Sequence, residues 1–225
     1  MNIRTAIETG DVTALRKLLA VNPNAANEHV VWGVEKDIRT HPLHFVSDKL
    51  FDGTLDRNRE ADIAVGLIDA LVEEGADLNH FQADESRGEP KCETPLNGAA
   101  SLGAQEVGIR LIDAGAHTGA INLLGETSLH WAASLGLDRL VARILRAEVL
   151  DHVSIHVRDS NWDATPLGWA IHGWFNSPPG SAGRHHEVVV ALVRAGAEVE
   201  TEWLLDQAIQ ADPAKVVALQ GKLEG

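Results

Sequence analysis

The chain has 225 residues, of which 44% are hydrophobic and 4% aromatic, with no Tyr. That is enough apolar material for a core, which excludes a disordered chain, and the surplus of Ala and Gly over aromatics favours close-packed helices over sandwich strands. A formal charge of −14 argues against nucleic-acid binding, and the single Cys92 excludes an internal disulfide. No apolar run approaches the ~18 residues of a membrane span or forms a leader. A cytoplasmic chain with no membrane partner is therefore expected.

In chain order, Ile3 to Thr9 and Val12 to Val21 predict a helix pair that ends at Asn22-Pro23. Thr40-His41-Pro42-Leu43-His44 then opens a phrase that returns as Thr94-Pro95-Leu96-Asn97, Thr127-Ser128-Leu129-His130 and Thr165-Pro166-Leu167-Gly168. Thr at a helix start can cap an orphan N–H, and Pro at the next position has none to lose. Ala99-Ala100 and Ala132-Ala133 are small enough to let a second helix approach the first. The second helices carry apolar residues at helical spacing: Val107, Leu111 and Ile112; Leu140, Ile144 and Leu145; Val188, Leu192 and Val193. Gly75, Gly115 and Gly196 follow such helices, where a left-handed residue ends the turn cheaply. Trp203 to Ile209 and Pro213 to Leu219 predict a shortened last pair.

Thr94 and Thr127 lie 33 residues apart. With Thr-Pro-Leu-His, Ala-Ala and a later Gly-Ala-Asp in register, the chain resembles the ankyrin-repeat family. The resemblance implies an all-α solenoid, a single domain over residues 1–225 with units near 1–33, 34–79, 80–117, 118–150 and 151–199 and a cap at 200–225. It also implies a scaffold that binds another protein through a concave face and finger loops. A monomer without cofactor or metal is expected, and enzymatic activity is not.

Departures from the period mark where function is sought. Insertions at residues 50–60 and 176–185, and an enlarged finger at 80–92, lengthen the ordered chain without adding core. Tolerated surface insertion explains them equally well, since loop length costs little stability. Glu148 stands where Gly is expected, so the helix there either ends in a strained turn or runs on.

The residue after each repeat phrase reads Phe45, Gly98, Trp131 and Trp169. By repeat register these aromatics, with Trp162 and Trp174 nearby, form a candidate binding notch, because Trp buries a large area on few rotors. Packing on the next repeat is the competing role for each ring. Asp163 and His172 complete an alternative site for a small molecule or for acid–base chemistry beside Trp169. Eleven His residues are present. His44 and His130 are expected to bond backbone or the neighbouring Thr, and His185-His186 point apart on a helix. No cluster has a zinc spacing, and neither a phosphate loop nor a Gly-x-Ser-x-Gly elbow appears.

Overall fold

The computed structural model describes residues 1–33, 38–51, 53, 61–84, 91–147, 155–177 and 183–222. The chain folds as two compact units, Met1–His117 and Thr118–Gly225. Both are mostly helical.

The first unit contains α1 (Ile3–Glu8), α2 (Val12–Val21), a short 3₁₀ turn (Pro23–Ala26), α3 (Pro42–Phe51), α4 (Ala61–Glu73), α5 (Pro95–Ser101) and α6 (Gln105–Asp113). Side-chain oxygens close the helix starts: Asn2 accepts from the Thr5 N–H, Asp11 from Ala14 and Thr94 from Asn97. The helices pair as α1–α2, α3–α4 and α5–α6. Across pairs, α1, α3 and α5 make one row, and α2, α4 and α6 a second. The buried faces of these rows are the core: Ile7, Leu15 and Leu19, then Leu43, Phe45, Leu67, Ile68 and Leu71, then Leu96, Leu111 and Val107. A fully buried side chain of this size stabilises the fold by roughly 1.5–3 kcal/mol before chain entropy is set against it.

Two antiparallel ribbons project between the pairs. β1 (Val30–Trp32) pairs with β2 (Ile38–Thr40), and β3 (Gln82–Asp84) with β4 (Lys91–Glu93). The described ends of the finger expected between Phe81 and Lys91 thus pair as antiparallel strands, and so does part of the segment before Thr40.

The second unit holds α7 (Ser128–Ser134), α8 (Asp138–Ala147), α9 (Pro166–Asn176), α10 (His185–Arg194), α11 (Thr201–Leu205), α12 (Gln207–Gln210) and α13 (Pro213–Leu219). Here α7 packs on α9, α8 on α10 and α10 on α13. The segments expected to carry second helices, Glu106 to Ala114 and Glu187 to Ala195, are helical to within a residue. Gly173 lets α9 come down onto α7, because a Cβ there would fall on the Ser134 carbonyl oxygen. His185 donates from Nε2 to that same oxygen at 2.9 Å.

Glycine ends both kinds of helix. After the second helix of a pair, Gly115 (φ 105°) and Gly196 (φ 100°) carry the turn, and the N–H of the next residue, Ala116 or Ala197, donates to the carbonyl five positions back, on Leu111 or Leu192. After the first helix, Gly103 (φ 72°) and Gly136 (φ 66°) do the same with Ala104 and Leu137. One expected element differs. The helix from Trp203 to Ile209 is broken at Asp206, which leaves the helical region and caps α12 by accepting from the Ala208 and Ile209 N–H groups.

Most of the insertions at 50–60 and 176–185, the tip of the 80–92 finger and Glu148 lie outside the described residues. Among the described residues no helix is long and apolar enough to cross a membrane.

Candidate functional site

Three of the sequence-derived candidates, Trp131, Trp162 and Trp169, meet in the second unit, around the loop Ile155 to Thr165 and the helix it feeds. The organising residue is Asp159, only 2% exposed. Its Oδ1 accepts from the backbone N–H groups of Asn161 (2.8 Å) and Trp162 (2.9 Å). Its Oδ2 accepts from the Ala164 N–H (3.1 Å) and the Trp169 indole N–H (3.0 Å). Burial pushes the Asp159 carboxyl up, but the donors on Trp169, Trp162, Asn161 and Ala164 outweigh it and hold the group below its ordinary value. The side chain thus stays ionised and fastens the loop tip to α9. The tightness of the turn shows at Asp163, which adopts a left-handed φ of 51°.

Trp162 sits on top of this turn and is 69% exposed. Its ring meets Trp169 at a centroid distance of 5.4 Å and an angle of 69°, and Trp131 meets Trp169 from α7 at 5.0 Å and 81°. Edge-to-face pairs at such spacing attract beyond their buried area. Trp169 itself is 7% exposed and anchors both.

The neighbouring loop repeats the device. Glu126, also buried, accepts from the Trp131 indole N–H (3.2 Å) and from Asn122 Nδ2 (2.9 Å). Asn122 Oδ1 in turn takes the N–H groups of Leu124 and Glu126. The two loops are tied by the Ser160 N–H, which donates to the Leu124 carbonyl at 2.7 Å. Ile121 and Leu123, on the first loop, are exposed like Trp162 on the second. Sequence reading missed Asp159, Glu126 and Asn122, although each lies nine or ten residues, or five, before a Trp in the repeat.

His130 is structural, as its place in the repeat phrase implies. Its Nδ1 accepts from the Thr127 N–H at 3.1 Å and its Nε2 donates to the Ala164 carbonyl at 3.2 Å, which fixes the neutral tautomer. Burial lowers its pKa.

Other candidates fall elsewhere. Trp174 does not join the indole cluster. Five residues along α9 from Trp169, it is turned about 140° around the helix, and it meets His186 and Lys215 instead. His172 is exposed, and among the described residues its ring has no hydrogen-bond partner. The Asp163 carboxylate, 86% exposed, lies 3.8 Å from Arg158, which also reaches Glu200 at 3.2 Å. Phe45 belongs to the first unit and is wholly buried against Trp32 and Lys49, so no ligand reaches it from solvent.

The first unit gathers four histidines. His41 stacks on His80 at 4.5 Å, and His29 touches both rings edge-on. His41 Nδ1 accepts from the Leu43 N–H, and Nε2 donates to Asn27 Oδ1. Burial, then the neighbouring His80, His44 and His29, lowers His41 to about 3, and burial lowers His44 to about 4. No group of three or more His, Cys, Asp or Glu among the described residues is arranged to hold a metal ion. Matched against known protein families and curated proteins, the chain finds no counterpart in either.

Proposed function

We propose that the chain is an ankyrin-repeat scaffold, a cytoplasmic monomer that binds another protein, and that the second unit carries the contact with Trp162 as its anchor. What supports the fold assignment is the coincidence of several independent features: the 33-residue spacing of Thr94 and Thr127, Thr caps at Thr94, Thr127 and Thr165, paired helices in rows and glycine at both kinds of helix end. The observation that carries the function is Trp162 itself. A large ring left 69% exposed is held by a turn whose carboxylate is fully hydrogen-bonded, with a buried indole as its footing. Such a side chain reaches a partner already ordered, so binding spends little entropy on it.

The alternative, a small-molecule site or enzyme beside Trp169 and His172, has no comparable support. His172 is not brought to an acid, base or donor among the described residues.

The test is a peptide library displayed on phage and selected on the whole protein, with Trp162→Ala as the counter-selection. Peptides enriched on the wild type and lost on the variant are expected. Enrichment of the same peptides on both proteins, or of none on either, overturns the assignment of Trp162.

A further inference from the structure

We propose that the indole cluster of the second unit selects a cationic side chain, the ammonium of Lys or the guanidinium of Arg, presented by the partner. This rests on the docking role given to Trp162 and adds the chemistry it reads.

Asp159 and Glu126 are both buried, 2% exposed each, and among the described residues neither forms an ion pair. Their partners are neutral donors: backbone N–H groups, Asn122 and the two indoles. The Asp159 carboxylate, held ionised by neutral donors, projects its field onto the Trp169 ring that donates to it and the Trp162 ring packed on that one. An indole that donates its N–H to an anion also becomes more electron-rich on its faces, which strengthens attraction for a cation. Asp163, next to Trp162 in the chain, and Glu200 share Arg158, at 3.8 and 3.2 Å, so these three groups together add one net negative charge.

The rest of the molecule supplies an internal comparison. In the first unit Lys49 Nζ lies 4.2 Å from the Trp32 ring centroid and 4.9 Å from that of Phe45. Near the C-terminus Lys215 Nζ lies 4.9 Å from both Trp174 and Phe175. Two aromatic pairs are thus covered by lysines of the chain itself. Over Trp162 and Trp169 no cation lies among the described residues, and Trp162 is open to solvent. The same chemistry is left for a group from outside.

Charge and shape separate in a titration followed by the indole N–H resonances. Choline and its neutral isostere 3,3-dimethylbutan-1-ol serve as probes on the full chain. Choline is expected to shift the Trp162 and Trp169 signals saturably and on the order of three- to thirtyfold more tightly than the alcohol. Raised salt should weaken it. Trp162→Leu, at an exposed position that leaves the turn intact, should abolish the difference, and Trp162→Phe should keep part of it. Equal response to both probes, or none to choline, overturns the cation assignment. A second arm uses Gly-Ser peptides carrying one Lys, Arg, norleucine or citrulline between two Leu residues. Tight Lys and Arg peptides support the proposal. Binding of all four alike leaves the docking role standing and removes the cation, whereas binding of none removes docking as well. Choline binding with no peptide binding assigns the site to a free organic cation and overturns the partner side chain.

Discussion

Lowering the pH should destabilise the first unit well before its carboxylates protonate. His41 and His44 sit neutral in the fold at about 3 and about 4, against an ordinary value of 6.5. A group whose folded pKa is depressed gives its full stabilisation above the unfolded value and loses it as pH falls toward the folded one. Each ring therefore costs about 1.4 kcal/mol for every pH unit below 6.5, which reaches about 2 kcal/mol per ring near pH 5. The two together remove about 4 kcal/mol, a large share of the roughly 5–15 kcal/mol that holds an ordinary domain. The geometry agrees with the sign, since a proton on His41 Nδ1 would face the Leu43 N–H that now donates to it. Hydrogen exchange of first-unit peptides in urea, at about pH 7.5 and about pH 5, measures the loss. A His44→Leu variant should show about half the slope. First-unit stability unchanged across that interval, or both Cε1–H resonances titrating near 6.5, would refute the reasoning.

Three further outcomes follow from the second unit. Trp169→Phe keeps an aromatic side chain, smaller than the indole, but takes one donor from the buried Asp159, and should lower the urea midpoint by an amount equivalent to about 1–3 kcal/mol. Gly173→Ala should cost about 1–3 kcal/mol or more and loosen α7 from α9, seen as faster amide exchange in both helices, because the new methyl group lands on the Ser134 carbonyl. Thr127→Ala removes the oxygen that accepts from the His130 N–H and should cost about 1 kcal/mol in thermal or urea unfolding.

Much of the helical frame could be read before any coordinates, because the features that set it are local. A Thr cap with Pro behind it, an apolar stripe and a terminal Gly act within a few residues, so α5, α6, α7 and α10 lie where their sequence places them. The same logic would have found the inner glycines, since Gly103 and Gly136 are 33 residues apart like the Thr caps. The hairpins were harder to see, as three-residue strands such as Val30–Trp32 carry too little alternation to register. Asp206 shows a different limit. An acidic residue inside a helical pattern can sit on the helix or start a new one, and here its own side chain decides for the start.

The candidate site was half legible. Repeat register picked out Trp131, Trp162 and Trp169, which do meet. It grouped Trp174 with them because neighbours in sequence are easily taken for neighbours in space, and the helical turn sends that ring to Lys215. Phe45 shares the register of Trp131 but is wholly buried, as its neighbours Trp32 and Lys49 close over it. Asp159 escaped notice because one carboxylate among 33 acidic residues carries no mark of its partners.

The turn at Asp159 separates two jobs that loops usually combine. Its shape is written by one carboxylate and the backbone it grips, while the identity of the protruding residue at 162 plays no part in that grip beyond its own N–H. A substitution there that keeps the N–H would change what the loop touches and leave the carboxylate's grip on the backbone in place. Recognition in this unit is free to drift through a single codon without the architecture having to follow.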